Sequence, residues 1–288
     1  MIPNTIKHQV EKALGKVIDS DRTVSGGSIN QAAKIIFSDG QECFLKWNSN
    51  ADPDMFAKEE RGLKILESAD TPLRVPSVFA TGKTKDGTGF LVQEFISEGR
   101  SQPNSADAFG KALAELHRHH EKKFGLDHNN YIGRLPQSNR WHNAWVEFFI
   151  EERMKPQLKI ATDARKLNPA TVSRFESMYK ELPAIFPDEP PSLLHGDLWG
   201  GNYFFDEKGK ATIYDPAVYY GHREIELAFT HLFGGFSGRF YHAYEAVYPL
   251  KPGFSQRKDI YNLYPLLVHT NLFGGSYARQ VEGIVNRF

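Results

Sequence analysis

Ile6, Val10, Ala13, Leu14 and Val17 recur at helical spacing, which predicts an opening amphipathic helix over residues 4–18. The period then changes. Ala33 to Phe37 and Cys43 to Trp47 are short apolar runs on either side of the turn Ser38-Asp39-Gly40, and they predict paired strands, the later one the third of the region. Met55, Phe56, Leu63, Ile65 and Leu66 mark a helix over 54–67. Val75 to Val78 enters a strand, the polar stretch Thr84 to Gly89 turns the chain, and Phe90 to Ile96 reads as a buried strand. Ser97 to Ser105 is polar and broken by glycine and proline, as a linker would be.

Helical spacing dominates the remainder of the chain. It is carried by Phe109, Ala112, Leu113, Leu116 and His117, then by Trp141, Trp145, Phe148, Phe149 and Glu152, by residues 170–182, by Glu224 to Phe233 and by Arg257 to Phe273. Pro265 predicts a kink or break in the last of these. The aromatic stripes read as core. One interruption stands out: Tyr203-Phe204-Phe205 and Ala211 to Tyr214 flank the polar loop Asp206 to Gly209, a hairpin pattern. The fold class is therefore α+β, with a small antiparallel β-rich N-terminal lobe (1–96) and a larger, mainly helical C-terminal lobe (97–288).

Composition narrows the function classes. The 35 basic and 35 acidic residues cancel, which removes the argument for nucleic acid or an acidic membrane surface as partner. A single cysteine, Cys43, excludes an intrachain disulfide and suits a reducing compartment. The opening residues Met-Ile-Pro-Asn-Thr-Ile-Lys-His carry no long apolar run, and no stretch approaches the 18 or so apolar residues of a membrane helix. A cytoplasmic, monomeric enzyme is expected. His117, His119 and His120 lack paired cysteines and read as a solvated helix end rather than a metal site.

The chemistry concentrates between residues 195 and 217. Asp197 is followed five residues later by Asn202 and thirteen residues after that by Asp215. In kinases an Asp, an Asn and an Asp in this order are the general base and two magnesium ligands. Magnesium favours carboxylate and amide oxygens, and a hairpin brings its entrance, Asn202, beside its exit, Asp215. His195, next to Leu193 and Leu194, reads as a buried scaffold for the loop. In the first lobe, Gly26-Gly27 reads either as a plain turn between strands or as one that lets backbone N–H groups approach phosphates. Lys46, within an apolar strand, falls where kinases place the lysine that holds the α and β phosphates. Glu59 on the next helix is the expected partner of Lys46, with Glu60 as its rival. At the end of the strand before the linker, the backbone amides of Glu94 to Ile96 are placed to read an adenine edge.

These residues carry a family resemblance. Leu-Leu-His195-Gly-Asp197-Leu-Trp199-Gly-Gly-Asn202, then Tyr-Asp215-Pro-Ala217 and Gly221-His222-Arg223-Glu224, resemble the fructosamine kinase (ketosamine-3-kinase) family. Phe44-Leu-Lys46, Met55-Phe56 with Glu59, Phe124-Gly125-Leu126-Asp127, Trp141 to Met154 and Leu272-Phe273-Gly274-Gly275 extend the resemblance over nearly the whole chain. It implies a two-lobed, protein-kinase-like fold and ATP-dependent phosphorylation of a sugar hydroxyl, O3, on a free or protein-bound ketosamine. Asp197 is then the base, Asn202 and Asp215 the Mg²⁺ ligands and Lys46 the phosphate holder, with adenine on Gln93, Glu94 and Phe95. Trp199 either offers a ring face to the sugar or amine or packs its own loop. Other small-molecule kinases, acting on aminoglycosides or choline, share the generic pattern, and a non-catalytic pseudokinase would keep only the fold. Two departures matter: Ser28 stands where some members carry a redox-active cysteine after the glycine pair, and the stretch that usually reads Gly-Asp-Arg-Glu with a following Asp is here Gly221-His222-Arg223-Glu224 with Glu226.

Overall fold

The computed structural model describes residues 2–24 and 30–288. The chain divides into two compact units, Met1–Ser105 with Asn202–Ala217, and Ala106–Gly201 with Val218–Phe288. The first division falls after Ser105 rather than after Ile96, and the hairpin 202–217 goes with the first unit.

In the first unit, α1 (Asn4–Leu14) leads into β1 (Ile18–Val24), β2 (Gln31–Phe37) and β3 (Glu42–Asn48). After α2 (Met55–Ser68) come β4 (Val78–Lys83) and β5 (Gly89–Glu94). The five strands form one antiparallel sheet in the order β1-β2-β3-β5-β4. Alternation decides which face is buried: Ala33, Ile35 and Phe37 of β2 point into a core shared with Leu45, Trp47, Phe90, Val92 and Ile6 and Val10 of α1. Each Ile, Leu, Val or Phe side chain removed from water in this way stabilises the unit by about 1.5–3 kcal/mol.

The opening helix is shorter than its apolar spacing predicts. Gly15 takes the left-handed conformation (φ 65°) and caps it after Leu14, which leaves Val17 62% exposed. Strand β1 escaped the hydrophobic pattern altogether, because only Ile18 of its residues is buried. It sits at the sheet edge, where polar residues are the rule.

The second unit holds α3 (Ser105–Leu116) from its second residue on, α4 (Trp145–Phe148), a π-helical turn (Phe149–Met154), α5 (Lys155–Asp163) and α6 (Pro169–Ile185). They are followed by α7 (Arg223–Leu232), α8 (Gly238–Val247), α9 (Phe254–Phe273) and α10 (Ser276–Val285). Its aromatic core stacks Phe186 on Tyr261 (4.7 Å) and His222 on Trp145 (5.3 Å). Trp141 is not part of it: the residue precedes α4 and is 41% exposed. Pro265 does not break α9, which runs unbroken from Phe254 to Phe273. Burial of nearly every residue from Ile260 to Val268 outweighs the one backbone bond that proline removes. Among the described residues no helix is long and apolar enough to cross a membrane.

Candidate active site

Strand β3 delivers Lys46 into the first unit with its side chain only 4% exposed. Its ammonium group contacts two carboxylates, Glu59 of α2 and Asp215 at the hairpin exit. Burial pulls the lysine's pKa down, but the charges of Asp215 and Glu59 overcome it and hold the ammonium firmly protonated. Glu59 is pushed up to about 7, first by burial and further by Asp215, with Lys46 opposing. Glu60 points elsewhere, to Lys64 and the Thr81 hydroxyl (2.7 Å each).

The hairpin forms as its aromatic and β-branched residues suggest. Tyr203 pairs with Ile213, and Tyr214 N–H donates to the Asn202 carbonyl (3.2 Å), so Asn202 and Asp215 lie at one end of it. Asp215 has a left-handed backbone (φ 55°), which costs free energy for a side-chain-bearing residue but is best tolerated by Asp and Asn. Arg74, which the sequence did not flag, fixes the hairpin to the first unit. Its guanidinium donates to Asp206 (2.9 Å) and Glu94 (2.7 Å), and its backbone exchanges bonds with Ala211 and Ile213. Gly99 N–H adds a bond to the Phe205 carbonyl (2.7 Å), and a Cβ there would collide with the Asp206 carbonyl oxygen.

Around the strand end, Gln93 is buried, and its Oε1 has no partner among the described residues. The N–H of Glu94 donates to the Ser77 carbonyl (2.8 Å), so this amide is not available to an adenine. Phe95 carries the Lys34 ammonium 4.3 Å above its ring. Gly26 and Gly27, together with Ser28, lie outside the described residues. The donor set of Asn202 and Asp215, an amide and a carboxylate oxygen, suits Mg²⁺.

Asp197 belongs to the second unit, on the loop that follows the strand Ser192–Leu194. His195 is fully buried, and its Nδ1 accepts the Asp197 N–H (3.3 Å), a scaffold rather than an acid–base geometry. The buried carboxylate of Glu226 on α7 accepts the N–H groups of Gly196 (2.7 Å) and His195 (3.2 Å). It also meets His117 Nε2 at 2.9 Å. Burial alone would raise its pKa, but the His117 hydrogen bond and charge, with the Gly196 N–H, lower it below the ordinary carboxylate value. His117 is thus no solvated helix end: it is fully buried between Glu226 and the Tyr244 hydroxyl (2.8 Å). The longer Glu at position 226 spans the distance to the loop backbone, and the resemblance alone did not settle that reach.

Asp197 also lines a small cleft that is open to solvent and has enclosed room for about one water molecule. Tyr219, Glu226, Tyr264 and His269 line it too, among apolar neighbours such as Ile132 and Phe229. Neither Tyr219 nor Tyr264 is distinguishable in sequence from the surrounding aromatic core. Trp199 is 38% exposed, packs edge-on against Phe233 (6.2 Å), and lies over Gly201, where an added Cβ would collide with the indole.

The sequence profile of the fructosamine kinase family matches residues 2–288. A probable ketoamine kinase of Vibrio parahaemolyticus is 40% identical over 266 residues, covering 92% of this chain and 90% of that protein. The chloroplastic protein-ribulosamine 3-kinase of Arabidopsis thaliana is 36% identical over 270 residues, 92% of this chain and 81% of that one. Among solved structures, a candidate fructosamine-3-kinase of Thermobifida fusca superposes with a TM-score of 0.88 at 31% identity, over 99% and 98% of the two chains. An aminoglycoside phosphotransferase solved with streptomycin and ATP reaches 0.66 at 14% identity, over 100% of this chain and 97% of that one, and shares the kinase-like fold alone. With its full length matched by the family profile, this chain belongs to the fructosamine kinase family.

Proposed function

We propose that this protein transfers the γ-phosphoryl group of ATP to the O3 hydroxyl of a ketosamine such as a fructosamine or ribulosamine. The observation that carries this reading is the buried Lys46 held between Glu59 and Asp215, in a chain that matches the family from end to end. Lys46 neutralises the α and β phosphates, and Glu59 keeps the ammonium pointed at them. Asn202 and Asp215 would hold Mg²⁺, which shields the phosphate charge when bound. Adenine rests near Gln93, Glu94 and Phe95, met by backbone groups other than the Glu94 N–H, and Gly26-Gly27 covers the phosphates. Asp197 accepts the proton of O3 as the O3–P bond forms and the bond from Pγ to the bridging oxygen breaks, with ADP leaving. Trp199 faces the sugar or the amine. The phosphate then destabilises the sugar–amine linkage and releases the amine, a deglycation. The relatives named ketoamine kinase and protein-ribulosamine 3-kinase support the acceptor class and the position of attack. We place the protein in the cytoplasm as a monomer, with no nucleic-acid or membrane partner.

The test incubates the protein with Mg-ATP and fructose-, ribulose- and erythrulose-amines of a small amine, following ADP release and the position of the new phosphate. Asp197→Asn is expected to abolish transfer while ATP affinity stays close to wild type. Phosphate moving only to an aminoglycoside or to choline, or nucleotide binding with no turnover, would refute the assignment.

A further inference from the structure

A chain of buried side-chain hydrogen bonds crosses the second unit and ends in the wall of the cleft that Asp197 lines. Arg153, in the π-helical turn, is fully buried, with its guanidinium 3.9 Å from the Tyr219 ring centre. Its Nη2 donates to Asn139 Oδ1 (2.8 Å). Asn139 Nδ2 donates to Asn130 Oδ1 (2.8 Å), which also accepts from Gln137 Nε2 (2.8 Å). Gln137 Oε1 in turn receives the Tyr264 hydroxyl (2.5 Å). All five residues are buried, and Tyr264 lines the cleft together with Asp197.

The direction of every bond in this chain is forced. A guanidinium can only donate, so Asn139 must turn its oxygen to Arg153. The carbonyl of His128, an acceptor only, takes Asn139 Nδ2 as well (3.1 Å) and fixes the same orientation. The Val218 carbonyl likewise takes Asn130 Nδ2 (2.8 Å), which turns Asn130 Oδ1 toward Gln137. Gln137 must then present its nitrogen to Asn130 and its oxygen to Tyr264. The single proton of the Tyr264 hydroxyl is therefore committed to Gln137, leaving only lone pairs for any other partner. The phenol remains protonated, since burial raises its pKa and the Asp197 carboxylate adds to that rise, outweighing Arg153.

We infer that Tyr264 is a specificity residue that acts only as a hydrogen-bond acceptor. With Asp197 it selects acceptor molecules that present hydroxyl or ammonium donors, and Arg153 is the positioning residue that sets this polarity. The inference rests on the proposed ketosamine kinase activity and names the side chain that reads the polyol. A carbonyl or ether oxygen brought to the same place would face two acceptors and be rejected.

The experiment compares a ketosamine with analogues that lack one hydroxyl each or carry it as a methyl ether. Wild type should discriminate against one of them by about tenfold or more in kcat/KM, as expected when a buried acceptor loses its donor. Tyr264→Phe should raise the KM for the ketosamine by a similar factor and erase that discrimination, with the KM for ATP unchanged. Arg153→Lys, which still only donates, should keep the discrimination, whereas Arg153→Gln, which can present either end, should lose it. Tyr264→Phe with wild-type acceptor KM and intact discrimination would overturn the inference, as would equal behaviour of the two Arg153 variants. Wild type that phosphorylates an aminoglycoside but no ketosamine would overturn the functional reading alone. The same variants, read on analogues of that alcohol, then decide the role of Tyr264.

Discussion

Glu59 and Glu60 are neighbours in sequence with opposite fates, which makes them a sharp comparison at the residue scale. Glu59 is buried on the Lys46 ammonium, whereas Glu60 serves Lys64 and Thr81 nearer the surface. Glu59→Gln leaves Asp215 as the remaining carboxylate on Lys46 and should lower kcat/KM for ATP by about 10–100-fold, the worth of a charge-assisted bond of about 1.5–3 kcal/mol. Glu60→Gln removes a partly exposed pair and should change stability by no more than about 0.5 kcal/mol, with kinetics unchanged. Steady-state kinetics and urea unfolding of the two variants check this, and equal kinetic losses would remove Glu59 from the phosphate-holding role. Glu226 is the second such residue. Glu226→Gln keeps the shape but replaces one acceptor oxygen by a donor facing backbone N–H groups or His117. The loop carrying Asp197 should loosen, with kcat falling at least tenfold and stability by about 1–3 kcal/mol. A variant with wild-type kcat would show that the loop holds its place without this carboxylate.

Elements were legible in the sequence where one face alone is buried, as in α2 and β2, or where a short apolar run is buried throughout, as in β5. Helix α2 and strands β2, β3 and β5 follow their apolar spacing closely, and the hairpin pattern of 203–214 was plain. The errors have physical causes. Gly15 ended α1 where periodicity would have carried it to residue 18, the edge strand β1 has almost no buried residue to reveal it, and Pro265 is tolerated in a helix buried nearly all round. The hairpin's allegiance was not readable either. Its place in sequence assigns it to the later lobe, but Arg74, Gly99 and the Ser105 hydroxyl, which donates to the Gly209 carbonyl (2.7 Å), tie it to the first unit. Long-range bonds of this kind leave no trace in local periodicity. They predict that Arg74→Ala, by freeing Asp206 and Glu94 at once, weakens nucleotide binding in the presence of magnesium several-fold through misplacement of Asn202 and Asp215. Isothermal titration with a non-hydrolysable ATP analogue is the measurement. Unchanged affinity would mean that the backbone bonds of the hairpin suffice.

At the scale of the whole molecule, the buried ionisable groups of the second unit set how the protein responds to acid. Arg223 pairs with Glu189 (2.7 Å), Arg257 pairs with Glu224 (2.6 Å), and His222 lies close to both arginines, stacked on Trp145 with its Nδ1 on the Tyr261 hydroxyl (2.5 Å). Burial, reinforced by the charges of Arg223 and Arg257, drives the His222 pKa from the ordinary 6.5 to about 3. The folded protein therefore keeps this imidazole neutral while the unfolded chain takes up a proton below pH 6.5. The stability it contributes is fully present above that pH and is lost as pH falls from 6.5 toward 3. Between pH 6.5 and 5 this amounts to about 2 kcal/mol from one group, at about 1.4 kcal/mol for each pH unit. Glu226, whose pKa is lowered, adds its loss only further down, as pH falls below the ordinary carboxylate range. The two contributions are thus separable by pH. Urea unfolding of wild type at pH 7 and pH 5 should show the His222 part, with smaller losses from His231 and His269, whose pKa values burial also lowers. His222→Gln cannot take up that proton. It should be less stable than wild type at pH 7, through lost stacking, yet lose about 2 kcal/mol less on going to pH 5. An identical pH dependence in the variant would mean that the buried imidazole is not the group that destabilises the fold in mild acid.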